Sequence, residues 1–163
     1  MTHRSHQLAE FNIATMRFPL EDQRMRDFTE SLNSVNAIAD ASPGFVWRLQ
    51  SDEGDATSIR LNDDASLLLN LSVWESLDAL RAFYLDAPHG QYLRRRAEWF
   101  EHARQPYVAL WWVPSGHRPS AEEADKRLSM LREDGPTEGS FDFSHPFPMP
   151  GAVRHVTPPL DSG

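Results

Sequence analysis

Residues 67–100, LLLNLSVWESLDALRAFYLDAPHGQYLRRRAEWF, decide the fold of this chain. The first eight alternate as a strand does. Leu67, Leu69, Leu71 and Val73 make an aliphatic face, while Leu68, Asn70, Ser72 and Trp74 make a face with a polar middle. Ser76 and Asp78 suit the first turn of a helix whose apolar side is Leu77, Leu80, Phe83 and Tyr84. Pro88 breaks that helix and starts another, on which His89, Leu93, Arg96 and Phe100 recur at helical spacing until Pro106 ends it. A strand running directly into covering helices implies a sheet with one protected face.

Upstream, residues 8–16 alternate in the same way, Leu8, Glu10, Asn12 and Ala14 opposite Ala9, Phe11, Ile13 and Thr15. Glu10 and Asn12 interrupt the first of these faces. After Pro19, the spacing of Met25, Phe28, Leu32, Val35 and Ala39 predicts a helix over 21–40, with Asn36 at the edge of its core stripe. Ser42-Pro43-Gly44 ends it, and residues 45–50 read as a short strand. The polar stretch 51–64 reads as a hairpin loop, because its acidic pairs match no calcium-loop spacing. Downstream, residues 107–114 make an apolar fourth strand. Ser120 with Glu123 caps a helix that stops at Gly135-Pro136, and Phe141, Phe143 and Phe147 punctuate a Pro-rich tail.

The order β-α-β-β-α-β is that of an α+β, ferredoxin-like sheet with two covering helices, extended here by a C-terminal helix and an aromatic tail. We expect one domain over residues 7–150, with a core at 7–115, the extra helix and tail at 116–150, and flexible ends at 1–6 and 151–163. The first and third strands are neighbours in this topology, which brings Asn12 towards Asn70 and Ser72. The sheet face away from the two helices is too apolar to be left bare, and burial against a twin subunit is the expected solution.

Composition narrows the function classes. The 163 residues carry 16 basic and 24 acidic side chains, a net charge of −8. This argues against nucleic acid and anionic membranes as partners. There is no cysteine, so thiolate nucleophiles and cysteine-held metals are excluded. No apolar run approaches the ~20 residues of a membrane span, and the polar start lacks the core of a signal peptide. A cytoplasmic protein is expected, without a resident metal. Rossmann, P-loop, zinc-helix and serine-elbow motifs do not occur.

Three groups of residues have chemistry to offer. His89 stands at a helix start, where the dipole disfavours imidazolium and leaves a neutral ring able to move a proton. Trp47, Trp74, Trp99 and Trp111 have the apolar area to wall a pocket for a flat molecule. Asn12, Asn36, Asn70 and Ser72 can orient a carbonyl or hydroxyl, and Arg96 shares the His89 face and can meet an anionic group. Each also has a structural reading: a packed histidine, core indoles, a satisfied polar network, an arginine with its head in water.

The blocks SVWESLDALRAFYLDAPHGQYLRRRAEWF and PYVALWWVPSGHRPSAEEADKRL, with SPGFVWRLQ upstream, resemble the DUF3291 family of bacterial proteins. The resemblance covers about residues 8–150. It implies a dimeric α+β barrel with a pocket between sheet and helices, in the company of antibiotic-biosynthesis monooxygenases and haem-degrading proteins. The function it implies is cofactor-independent oxygenation, or related chemistry, of a small aromatic or polyketide-like substrate. His89 and Asn70 would be the catalytic residues, and Trp74, Trp47, Asn12, Asn36, Ser72, Arg96, Trp99 and Trp111 would bind the substrate. The alternatives are a haem protein with His89 as axial ligand, and a non-catalytic module for a small aromatic or apolar ligand.

Overall fold

The computed structural model describes residues 5–50, 65–85 and 94–151. Its strands are β1 (His6–Thr15), β2 (Phe45–Arg48), β3 (Leu67–Trp74) and β4 (Val108–Pro114). Its helices are α1 (Arg26–Ala41), α2 (Leu77–Leu85), the single turn α3 (Arg96–Trp99) and α4 (Ala121–Asp134). The strands form one antiparallel sheet in the order β2-β3-β1-β4, as the ferredoxin-like reading requires. In the central pair Asn12 lies opposite Asn70 and Glu10 opposite Ser72.

The alternation in β1 and β3 gives the sheet two unlike faces. On the first, Leu8, Trp74 and Leu110 pack with Ala39 of α1 and Leu80 of α2, while Leu68 packs with Phe28 of α1 and with Phe100. The second face is aliphatic at its centre. Ala9, Phe11, Leu69, Leu71, Val73 and Trp111 pack there against Ala124, Leu128 and Leu131 of α4. Full burial of each leucine contributes about 1.5–3 kcal/mol, so this helix is held chiefly by its apolar stripe.

That packing corrects one expectation. The apolar face assigned to a twin subunit is covered within the chain by α4. The Ser120 hydroxyl accepts from the Glu123 amide at 3.1 Å and starts the helix. The Glu123 carboxylate does not complete a reciprocal box; it is bonded instead to Trp111 and His117.

Several element ends also differ from the sequence reading. The helix expected over 21–40 opens as a separate 3-10 turn, Gln23–Met25, capped by Asp22, before α1 begins. The helix expected to run to Pro106 stops at Trp99. Phe100 turns extended, and the following segment returns along β1 through Arg17 N to Trp99 O, Glu101 N to Thr15 O and Ile13 N to Tyr107 O. Backbone pairing with the end of β1 outcompetes further helical turns. The start of that helix and the polar stretch 51–64 lie outside the described residues.

Gly44 sets the angle between α1 and β2. It has φ +82°, and a Cβ there would lie 2.5 Å from Ala79 Cβ, so the turn closes on α2 only with glycine. The aromatic tail folds back from α4 to the first face. Phe141 exchanges two 2.8 Å backbone hydrogen bonds with Leu110, and Phe147 O accepts from Trp112 Nε1 at 2.9 Å. No described helix is long and apolar enough to cross a membrane.

Candidate functional site

A cavity of about 370 Å³ lies between the first face of the sheet and α1 and α2. Its floor comes from the polar middle of β1 and β3, its walls from apolar residues of the helices, and Phe143 of the tail closes part of it. Phe143 is fixed there by its carbonyl, which accepts from Arg81 Nη2 at 3.1 Å, and by an edge contact with Tyr84 at 5.0 Å.

Glu10 is the centre of the site. It is 2% exposed, yet it lines the cavity. Its Oε1 accepts from Asn12 Nδ2 at 2.6 Å and from Tyr84 OH at 2.9 Å; its Oε2 accepts from Ser72 Oγ at 3.1 Å. Trp74 Nε1 in turn donates to Ser72 Oγ at 3.0 Å. The indole thereby orients the hydroxyl so that its proton points at the carboxylate. Registry explains the convergence, because Ser72 lies directly across from Glu10 and Trp74 follows two residues on, on the same face.

Burial pushes the Glu10 carboxyl above its ordinary value of 4.5, and the bonds from Asn12, Tyr84 and Ser72 act against that rise. The Tyr84 phenol is pushed well above its ordinary 10.0, first by burial and then by the neighbouring Glu10 charge. Tyr84 therefore stays a proton donor to Glu10 across the physiological range. A buried carboxyl with a raised pKa, opening onto a cavity, is a stronger base than an exposed one and is suited to taking and returning a proton.

Trp74 stacks on Phe83 at 5.2 Å and meets Phe45 edge-on at 5.4 Å, so its ring is fixed from both sides. Asn36 and Asn70 line the cavity with amides that bond to no other described residue. Asn70, although on the floor, is solvent-exposed.

The sequence-derived candidates thus separate. Asn12, Asn36, Asn70, Ser72, Trp74 and Arg96 line the cavity. Trp47 and Trp111 belong to the second face, Trp111 buried with its Nε1 on Glu123 Oε2 at 3.2 Å and Trp47 beneath the Arg118 guanidinium. Trp99 packs behind the cavity wall against Phe28 at 5.6 Å. His89, the expected catalytic residue and in the alternative reading a haem ligand, lies outside the described residues. Glu10 and Tyr84 were missed as site residues. The only sequence signal was Glu10 itself, a carboxylate in the middle of an otherwise buried strand face.

Fold and site together define a ferredoxin-like α+β protein with an aromatic-walled cavity built over a buried carboxyl. Residues 7–157 match the family described as a domain of unknown function, DUF3291, and the chain belongs to that family. No curated protein matches it. Among solved structures it is similar to a protein from Shewanella oneidensis, with 9% identity, TM-score 0.50, and coverage of 68% of this chain and 93% of that one. It is also similar to SnoaB, a cofactor-independent oxygenase from Streptomyces nogalater, with 16% identity, TM-score 0.47, and coverage of 71% and 96%. A provisionally assigned antibiotic biosynthesis monooxygenase from Nitrosomonas europaea shares 13% identity, TM-score 0.48, over 74% and 100%. At these identities the likeness is one of fold.

Proposed function

We propose that this protein is a small-molecule enzyme that oxygenates a flat, enolisable aromatic or polyketide-like substrate without a bound cofactor. The observation that carries the reading is Glu10, a buried, hydrogen-bonded carboxyl with a raised pKa on the floor of an aromatic-walled cavity. The same type of reaction is named for the Streptomyces nogalater oxygenase, but the proposal rests on the site and not on that likeness.

In this reading the substrate lies against Trp74 and Phe83, and the free amide of Asn70 donates to its carbonyl. The Glu10 carboxylate removes a proton from the activated CH₂, leaving a carbanion delocalised onto that carbonyl. The carbanion gives one electron to O₂, and the resulting radical pair combines to a peroxide, protonated by the acid form of Glu10. Loss of water from the hydroperoxide gives the new C=O. One CH₂ and one O₂ become one C=O and one H₂O, so no further reductant is needed. Tyr84 and Ser72 hold the carboxylate in place as it takes and returns the proton.

The test is oxygen uptake with a dihydroxyanthrone as probe. Enzyme-dependent uptake matched by quinone formation, reduced about 100-fold or more in Glu10→Gln, is expected. Uptake no faster than in buffer would sink the reading, as would an undiminished Glu10→Gln.

A further inference from the structure

Arg96 lines the cavity and has no acidic partner among the described residues. Its guanidinium lies 4.5 Å from the centre of the Tyr107 ring and 5.4 Å from that of Phe100, and it bonds to no carboxylate or carbonyl among the described residues. By contrast Arg95, its neighbour in the chain, is tied to Glu98 and Asp27 at 2.7 and 2.9 Å, and Arg48 on the same cavity is tied to Asp40 at 2.8 Å. In a chain with eight more acidic than basic side chains, an arginine set against two rings with no carboxylate bonded to it among the described residues is a specific arrangement.

Arg96 also lines a second recess, of about 260 Å³, which it shares with His102, Arg104 and Arg132. One acidic residue, Glu101, lies among them. Local charge there is positive although the net charge is negative, and an anion is drawn by such local fields. Arg132 is fixed by a 2.8 Å bond from its Nε to Pro106 O, which leaves its terminal nitrogens for the recess.

The two ends of the cavity are chemically distinct. Leu110 lies opposite Glu10, and Tyr107, whose ring Arg96 faces, is three residues away along the chain, about 10 Å of backbone at the usual strand rise, so the carboxyl and the guanidinium enter the cavity from separate stations along the sheet. A fused aromatic body spans that length. A negative group at the Glu10 end would oppose ionisation of the base, whereas one at the Arg96 end is compensated.

We infer that the cavity selects aromatic carboxylic acids, with the carboxylate paired to Arg96 and the reacting carbon directed at Glu10. Planar, fork-like donors match carboxylate geometry, and stacking on Tyr107 and Phe100 fixes the plane of the fork. The inference rests on the cavity being the substrate site of the proposed oxygenation, but it is read by binding alone.

The experiment is titration of the full-length protein with anthraquinone-2-carboxylate and its neutral carboxamide, followed by tryptophan quenching. The carboxylate should bind about tenfold or more tighter than the amide. Arg96→Gln should abolish that preference, weakening the carboxylate about tenfold or more relative to the amide with the circular dichroism spectrum unchanged, and Arg96→Lys should restore part of it. Equal affinities in the wild type, a preference that survives Arg96→Gln, or binding of neither probe would overturn the inference. A carboxylate preference without oxygen uptake would sink the reaction and leave the inference standing; uptake without the preference would do the reverse.

Discussion

The Tyr84 phenol on α2 donates a 2.9 Å hydrogen bond to Glu10 Oε1 in the middle of β1, linking residues 74 apart in the chain. The bond does two things. It pins α2 over the first face of the sheet, and it helps keep a carboxylate bearable where burial opposes charge.

Replacing Glu10 by Gln is expected to separate function from folding. The amide keeps the side-chain shape and removes a buried charge, so the thermal midpoint should hold or rise, as often happens when buried ionic groups are neutralised. Turnover should fall about 100-fold or more. A loss of turnover that tracks a loss of folded protein would count against the assigned role.

Stability should depend on pH through the same group. The folded-state pKa of Glu10 lies above its unfolded 4.5, so the native state holds the proton more tightly. The protonated form's contribution is complete below 4.5 and is lost as pH rises through the folded pKa, after which the loss is constant. The thermal midpoint of Glu10→Gln minus that of the wild type should therefore grow across that window. A flat difference would contradict the burial argument.

Tyr84→Phe removes a bond that lowers the Glu10 pKa. The acidic limb of the kcat/KM profile, set by ionisation of the base, should move to higher pH. The lost bond to a charged acceptor should also cost about 1.5–3 kcal/mol in denaturant unfolding. An unmoved limb with the stability loss alone would make Tyr84 only structural.

Ser72 mediates between Trp74 Nε1 and Glu10 Oε2. Ser72→Ala strands the indole N–H and should cost about 1–3 kcal/mol. Combined with Trp74→Phe, which removes that N–H, the total should fall short of the sum by about 0.5 kcal/mol or more, measured in a double-mutant cycle. Additive losses would show that the chain of bonds does not act as a unit.

Leu128 of α4 is 1% exposed on the second face. Leu128→Ala should lower unfolding free energy by about 2–5 kcal/mol. Loosening α4 uncovers the aliphatic face, and light scattering should then report self-association beyond that of the wild type. An unchanged mass in a variant whose α4 is shown to be loosened would mean that this face is not the surface that α4 protects.

Much of this was written into short-range pattern. Strand β3 was readable to the residue because strict alternation leaves no other register, and the ferredoxin-like order followed from where the strands and helices fall. The polar middle of one face, Glu10 and Asn12 with Asn70 and Ser72, was visible for the same reason. Tertiary structure decided the rest. Whether a strand carboxylate is solvated or buried depends on what lies above it, and Tyr84 reaches Glu10 only once α2 docks. Five tryptophans look alike in sequence, and cross-strand register, which sets Trp74 beside Leu8 but Trp111 beside Ala9 and Trp47 beside Val73, sends the first to the cavity and the other two to the opposite face. The cover of that face was likewise undecided, because an apolar surface requires burial without specifying the partner. Periodicity is a property of neighbouring residues, whereas burial, charge and the choice of partner are properties of the whole packed chain.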